Sequence, residues 1–243
     1  MVSKAKFNVD VNPKISSAVC NGPFGEAYKK LGERGYEVIS LEENALLRMQ
    51  EGIESPVCKQ GNYTKECIVY TAKEGPFLAR KSPILSSPET AAKAARLLNE
   101  KLENFYLSRE EAELALKDAV KIEDSVNLEE HAFVDANSFG DNEITKFAFG
   151  KYAAKYGRFL RNNGINIMHL CMMTNDGSRP FVRQVYFQSV EETSEISGCH
   201  GLGDNIPIRG ISRVYSPNQI KKSLKNLSIS GMETQLLQQL NLV

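Results

Sequence analysis

Two matched pairs of segments constrain the fold of this chain more than any other feature. The segment PFGEAYKKLG at 23–32 resembles AFGKYAAKYG at 148–157, with their Phe-Gly pairs offset by 125 residues (149 − 24). The Ser-Pro pair at 87–88 matches the Ser-Pro pair at 216–217, at an offset of 129 (216 − 87). Two ordered matches at nearly one offset favour an internal duplication, with a period too long for a solenoid repeat.

A duplication of this size predicts an α+β fold built from two similar helix-and-strand units. The units would span residues 1–124 and 125–243, be related by pseudo-twofold symmetry and pack as one compact body. Arg80 of the first unit would then correspond to Arg209 of the second. A length of 243 residues is enough for one large domain or two small ones.

Local signals for helices and strands support a mixed fold. Ser40 with Glu43, and Ser108 with Glu111, predict capping boxes at the starts of two helices. The helices expected from such signals are 24–32, 41–50, 88–105, 109–120, 149–162, 216–226 and 233–240. The expected strands are 6–11, 36–40, 63–72, 165–173 and 181–190, followed by a glycine-rich loop at 194–206.

Catalytic motifs are absent from the sequence. The segment GCHGLGDN at 198–205 lacks the Lys-Ser/Thr of a phosphate-binding loop. Cys199 and His200 are adjacent, and neighbouring side chains on extended backbone point apart, so they do not form a nucleophile–base pair readily. His131 lies in an acidic stretch, and His169 alternates with apolar residues as a structural histidine would. We therefore expect that the protein is not an enzyme; a Cys199-centred enzyme is a distant alternative.

The five cysteines occur at irregular spacing: Cys20, Cys58, Cys67, Cys171 and Cys199. Their odd number and the size of the chain argue against a disulfide framework, and no C-x-x-C pair predicts a zinc site. Reduced, packed thiols in a cytosol-like compartment are one interpretation. Attachment points for a ligand are another.

Basic residues dominate one stretch of the second half. From 146 to 183 there are seven Lys or Arg residues against one acid, Asp176. Within 146–161, helical spacing places Lys151, Lys155 and Arg158 on one face. This pattern permits a cytoplasmic binding or regulatory protein that associates with nucleic acid through the helix at 146–161. No apolar run approaches the roughly 20 residues needed for a membrane span.

A ligand-carrying role would suit linear tetrapyrroles, or bilins, which light-harvesting proteins hold through a thioether to cysteine. Such a site needs an accessible Cys, a carboxylate for pyrrole N–H groups and basic side chains for the propionates. Arg80 is the candidate contact for a bilin on Cys67, and Asp204 and Arg209 are the candidate contacts near Cys199.

The chain resembles the γ subunits of phycoerythrin, the chromophore-bearing rod linkers of phycobilisomes. The resemblance consists of its length, the duplication marked by Phe-Gly at 24–25 and 149–150, the scattered cysteines and the lack of enzyme motifs. The segment IPIRGISRVYSPNQIKKSL at 206–224 is also similar to the small C-terminal domain of rod linkers.

The resemblance implies a specific role in photosynthesis. The five cysteines would be candidate attachment sites for phycoerythrobilin or phycourobilin. The partners would be the phycoerythrin α and β subunits and other phycobilisome linkers. The protein would lie at the stromal face of the chloroplast thylakoid, where it would aid rod assembly and pass on excitation energy.

Overall fold

The computed structural model describes residues 6–10, 17–71, 74–101, 103–122, 131–173, 179–190, 193–203 and 207–212. One compact unit ends at Ile211, and a second begins at Ser212, the only residue of that unit within the described ranges. The helices are α1 (Phe24–Glu33), α2 (Leu41–Glu51), α3 (Pro56–Lys59), a 3-10 helix (Pro83–Ser86), α4 (Pro88–Glu100), α5 (Arg109–Leu116), α6 (Glu143–Phe149), a second 3-10 helix (Gly150–Tyr152) and α7 (Ala153–Asn162). The strands are β1 (Lys6–Asp10), β2 (Ser17–Asn21), β3 (Tyr36–Val38), β4 (Asn62–Thr71), β5 (Gly75–Ala79), β6 (Phe105–Tyr106), β7 (Ala119–Lys121), β8 (His131–Asp135), β9 (Ile167–Cys171), β10 (Phe181–Phe187), β11 (Ser194–Ser197) and β12 (Ile208–Ser212).

The strands of the described residues form one mixed, 12-stranded sheet. Its main path runs β1-β2-β12-β4-β10-β11-β9-β8, while β3 pairs with β12, β5 with β4 and β7, and β6 with β10. Strand β4 is antiparallel to β10, whereas β12 is parallel to β4 and β9 is parallel to β11. The late strand β12 therefore lies between β2 and β4, which come early in the chain.

Helices cover both faces of the central strand β4. Its alternating side chains pack into two cores, as the two-residue period of a strand requires. Ile68 and Tyr70 lie in the core formed with α2, α6 and α7. Cys67 and Val69 lie in the core formed with α1 and α4. The aromatic and β-branched residues of this strand are suited to burial on both faces.

The predicted capping boxes of α2 and α5 are confirmed. The Glu43 N–H donates to Ser40 Oγ at 3.1 Å, and the Ser40 N–H donates to Glu43 Oε2 at 2.8 Å. Ser108 and Glu111 make the same reciprocal pair. Each cap satisfies backbone donors that the first turn of a helix leaves without partners.

The predicted duplication with pseudo-twofold symmetry is wrong. The first Phe-Gly pair opens α1, whereas the second closes α6. Gly150 ends that helix because its φ of +53° lies in the left-handed region, which glycine adopts without steric cost. Arg80 follows strand β5 at a surface, while Arg209 lies inside β12. The matched letters therefore occupy different structural positions, and the sheet interleaves strands from both halves.

Several predicted boundaries also change. The helix expected over 149–162 is broken into the end of α6, a 3-10 turn and α7. The expected loop at 194–206 contains strand β11, which pairs with β10 and β9. The helix expected to reach residue 105 ends at Glu100. The boundary between the proposed units falls in 123–130, and the C-terminal helices fall beyond 212, so both lie outside the described residues.

Candidate functional site

A cleft of about 1090 Å³ opens between α1 and β3 on one side and the first 3-10 helix and α5 on the other. Its volume is near the upper end of the range of ligand pockets, roughly 300–1,000 Å³. The cleft is lined by Tyr28, Lys29, Gly32, Glu33, Tyr36, Glu37, Val38, Lys65, Arg80, Lys81, Ser82, Pro83, Leu85, Ser86, Pro88, Glu111, Leu114, Ala115, Lys117 and Asp118.

The apolar wall of this cleft comes from elements on both sides. The Tyr28 hydroxyl donates to the Leu85 carbonyl at 2.6 Å, which joins α1 to the 3-10 helix across the cleft. Val38 is buried at the end of β3. Leu114 of α5 is 67% exposed, although it is a large apolar side chain. Leu114 thus adds an accessible apolar side chain to the lining of the cleft.

The acidic groups of the cleft already have partners. Glu33 lies 3.9 Å from Lys29, and Asp118 Oδ1 lies 4.0 Å from Arg80 Nε. Glu111 accepts from the Ser108 N–H at 2.7 Å as part of the α5 cap. Two of these carboxylates are therefore paired with cations, and the third serves a backbone N–H of the helix start.

Two lysines of the cleft differ from these groups. Lys81 follows β5, and Lys117 ends α5; both are exposed. Neither makes an ion pair with any residue in the described ranges, whereas Lys65 lies 3.5 Å from Glu43 Oε2. Among the described residues, these two lysines are therefore cations of the cleft without an ion-pair partner.

Three of the predicted cysteine sites are packed into the two cores. Cys20 on β2 and Cys67 on β4 share one core, and Cys58 on α3 lies in the other. The Cys67 thiol donates to the Lys81 carbonyl at 3.6 Å. Burial raises the pKa of all three thiols because the thiolate would lose its hydration. These side chains support packing and give no access to a bulky ligand.

The remaining two cysteines come together. Cys171 ends β9, and Cys199 follows β11, which runs parallel beside β9. Both are partly exposed, both are free thiols, and a side-chain hydrogen bond joins them. That hydrogen bond and burial raise the pKa of the Cys199 thiol. A raised pKa is the reverse of what a catalytic cysteine nucleophile requires.

Two of the three polar residues predicted as ligand contacts, Arg80 and Arg209, lie in different surroundings. Arg80 lines the cleft, with its guanidinium 4.0 Å from the centre of the Phe147 ring. Arg209 is buried and donates to Ser17 Oγ at 3.1 Å. Asp204 lies outside the described residues.

The glycine-rich segment after β11 is fixed by side chains from the sheet and α4. The Tyr63 hydroxyl donates to the Gly201 carbonyl, and Asn99 Nδ2 donates to the Leu202 carbonyl at 2.6 Å. The His200 ring packs edge-on against Tyr186. Its Nε2 lies 3.3 Å from the Gln188 amide nitrogen, so the imidazole is engaged with an amide and not with Cys199.

Comparison with known proteins identifies the fold. No family model and no curated protein matches the chain. A solved structure from work on the accommodation of massive sequence variation in Nanoarchaeota by the C-type lectin fold is similar, with a TM-score of 0.60 at 13% identity. The similarity covers 83% of this chain and 100% of that chain. The chain thus has a C-type lectin fold.

This fold corrects the resemblance to phycoerythrin γ subunits, which is wrong. The similarity is to a C-type lectin fold, so nothing supports a phycobilisome, a bilin or a role in photosynthesis. Within the described ranges, no helix has both the length and the apolar character needed to cross a membrane. Nor do three or more His, Cys, Asp or Glu side chains of those ranges meet as a group that could hold a metal ion.

The cleft itself was not predicted from the sequence. Its walls are far apart in the chain, because α1 ends at Glu33 and α5 begins only at Arg109. One signal was available: in the helix 109–116, Ala112 is buried while Leu114, two positions later, points away from it. An isolated apolar residue on the polar side of a helix is common on protein surfaces, so this signal alone could not have located the cleft.

Proposed function

We propose that the protein is a non-catalytic binding protein whose cleft takes a peptide segment with apolar and acidic side chains. The observation that carries this proposal is the placement of Lys81 and Lys117 beside an apolar wall, as cations that form no ion pair with the described residues. A ligand with apolar groups would cover that wall, and its carboxylates would meet the lysines.

The shape of the cleft supports an extended ligand. Its two walls belong to different elements, and Tyr28 ties them through the Leu85 carbonyl. Such a tie fixes the cleft before binding and reduces the entropy lost on association. Leu114 offers an apolar anchor that is already exposed in the free protein.

The fold is compatible with binding through variable side chains. The work on the similar structure concerns massive sequence variation accommodated by the C-type lectin fold. For the present chain we combine this fold with the chemistry of the cleft residues, which carry the proposal.

The test uses the absence of tryptophan from the chain. A Leu-rich acidic peptide with one Trp can be followed by its own fluorescence, because the protein adds no indole signal. We expect saturable binding. The variant Lys81→Glu with Lys117→Glu should bind at least about tenfold more weakly, since two attractive charges become repulsive.

The matched control reverses two lysines outside the cleft, Lys151→Glu with Lys155→Glu. This change has the same effect on net charge, and the affinity for the peptide should stay within about twofold of wild type. Equal losses in both variants would show a non-specific charge effect and refute the cleft as the site. An absence of saturable binding to wild type would do the same.

Basic residues of the second 3-10 helix and of α7 support a second candidate, association with nucleic acid. Lys151, Lys155 and Arg158 are exposed, and Lys155 and Arg158 make no ion pair within the described ranges. Salt-sensitive binding of single-stranded RNA or DNA should then be lost in Lys151→Glu with Lys155→Glu. The cleft variant Lys81→Glu with Lys117→Glu should keep it.

A further inference from the structure

We propose that Cys171 and Cys199 are a disulfide-forming site that reacts with small disulfide oxidants such as oxidised glutathione. The two residues are neighbours because of the sheet. Strand β9 ends at Cys171, and its partner in the parallel ladder is Ser197, two residues before Cys199. The Gly198 N–H donates to the Cys171 carbonyl at 2.8 Å, which holds the segment after β11 against the end of β9.

Gly198 allows the approach that places Cys199. A Cβ at this position would lie 2.8 Å from Ile68 Cδ1 and 3.3 Å from the Tyr70 hydroxyl. Only a residue without a side chain lets the backbone pass this close to β4. The Cys199 N–H then donates to Ser197 Oγ at 3.3 Å, and its thiol is hydrogen-bonded to the Cys171 thiol.

The other cysteines do not compete for this reaction. Cys20, Cys58 and Cys67 have no exposed surface. Cys58 also lies in a different core from the other two. Cys171 and Cys199 are both partly exposed, so a small oxidant can reach them.

A buried cation lies close to the thiol pair. Arg183 is 8% exposed, and its Nη2 donates to Asn104 Oδ1 at 2.7 Å. Its Nε has no hydrogen-bond partner among the described residues, and its charge interacts with Cys199. This charge opposes only part of the rise in the pKa of the Cys199 thiol, which the hydrogen bond with Cys171, burial and the Glu195 carboxylate cause.

The reaction proceeds by two thiol–disulfide exchanges. A thiolate of the pair attacks one sulfur of oxidised glutathione, and one glutathione thiolate leaves. The second protein thiol loses its proton to solvent and attacks the sulfur of the mixed disulfide. The second glutathione then leaves. The two protein thiols are oxidised by two electrons, and one oxidised glutathione becomes two reduced glutathiones.

Peptide mapping of the full chain tests the site. Trypsin separates the two cysteines into peptides 162–183 and 184–209, since the Arg179-Pro180 bond resists cleavage. After reaction with oxidised glutathione and alkylation in denaturant, we expect these two peptides to be linked. Cys20, Cys58 and Cys67 should be alkylated. The midpoint of thermal unfolding should rise in the oxidised protein.

Single variants show whether one thiol resolves the adduct of the other. In Cys171→Ser and in Cys199→Ser, the remaining thiol of the pair should keep a glutathione that wild type releases. The proposal would be refuted if the wild-type protein retained glutathione without forming a disulfide between the two peptides. It would also be refuted if either peptide were linked to another cysteine. A wild-type protein that did not react would refute it as well. The peptide map of the wild-type protein is sufficient to test the proposal. The test therefore does not depend on whether the variants fold.

Discussion

A fully buried ionisable residue lies at each end of α2, and the two residues differ in their hydrogen-bond partners and in their response to pH. Near the last turn of the helix, Arg48 has no exposed surface. At the first turn, Glu66 of β4 reaches the Leu41 N–H at 3.0 Å and is equally buried. An acid at the N-terminus and a base near the C-terminus both complement the helix dipole. The helix dipole therefore explains why the residue at the first turn is acidic and the residue near the last turn is basic.

Near the last turn of α2, Arg48 connects the helix to other elements through several hydrogen bonds. Its guanidinium donates to the Val57 carbonyl at 3.2 Å, the Tyr156 hydroxyl at 3.2 Å and the Gln188 carbonyl at 2.5 Å. It also lies 3.8 Å from the centre of the Phe187 ring. These contacts connect α2 to α3, α7 and the end of β10 with neutral acceptors. The connection consequently does not depend on the titration of a carboxylate.

The Glu66 end carries a titratable group close to neutrality. Burial raises the pKa of the Glu66 carboxyl to about 7, and the hydrogen bond from the Leu41 N–H offsets only part of that rise. The comparison teaches that a buried charge with several neutral partners acts as a fixed connection. A buried carboxyl with fewer donors makes the same helix sensitive to pH.

The largest expected effect follows removal of the Arg48 connection. The variant Arg48→Met keeps a long side chain but leaves the Val57 and Gln188 carbonyls without their donors in the interior. We expect the free energy of unfolding to fall by about 3 kcal/mol or more. Urea denaturation measures this change.

Arg96→Met is the control for that substitution, because Arg96 is an exposed residue of α4. It should change the free energy of unfolding by no more than about 0.5 kcal/mol. If Arg48→Met were no more disruptive than the control, the contacts of Arg48 would not be a stabilising connection.

Glu66→Gln tests the pH-dependent end of α2. The folded pKa of about 7 exceeds the ordinary value of 4.5. The folded protein therefore keeps this proton in a range where the unfolded chain has released it. Stability is highest below about pH 4.5 and falls as the pH rises toward about 7, by about 3 kcal/mol for this group. The glutamine variant should lack that contribution.

The measurement is the difference between wild type and variant in urea denaturation at about pH 5 and about pH 8. Other titrating groups affect both proteins equally, so the difference isolates Glu66. Glu103→Gln, at an exposed carboxyl, is the control. Parallel pH profiles for wild type and Glu66→Gln would contradict the assignment of a raised pKa to this group.

The sequence could predict the partners of α2 that are close in the chain, but not those that are distant. Ser40 and Glu43 are three residues apart, so their capping box is visible as a pattern. Leu41 and Glu66 are 25 residues apart, and Arg48 and Gln188 are 140 apart. Those contacts depend on the strand order of the sheet. The lining of the cleft depends on it in the same way, and no local pattern encodes that order.

Substitution of the N-cap serine compares the buried N-terminus of α2 with the exposed N-terminus of α5. Ser40→Ala removes the acceptor of the Glu43 N–H at the end that Glu66 also serves. We expect a loss of about 1–2 kcal/mol in the free energy of unfolding. Ser108→Ala removes the same motif from α5, where the cap is exposed, and should cost less. Equal losses would mean that the burial of the α2 end adds nothing to its cap.

The smallest expected effect follows removal of one hydrogen-bond acceptor of Arg48, the Tyr156 hydroxyl. Tyr156→Phe deletes the hydroxyl that accepts from Arg48 Nη1 but keeps the ring in its aromatic cluster with Phe149 and Phe187. The guanidinium retains its carbonyl acceptors, so we expect a loss of only about 0.5–1 kcal/mol, measured by urea denaturation. Tyr152→Phe, on the neighbouring 3-10 turn, is the control and should leave stability unchanged. A loss as large as that of Arg48→Met would mean that the hydroxyl, and not the set of carbonyls, holds the guanidinium in place.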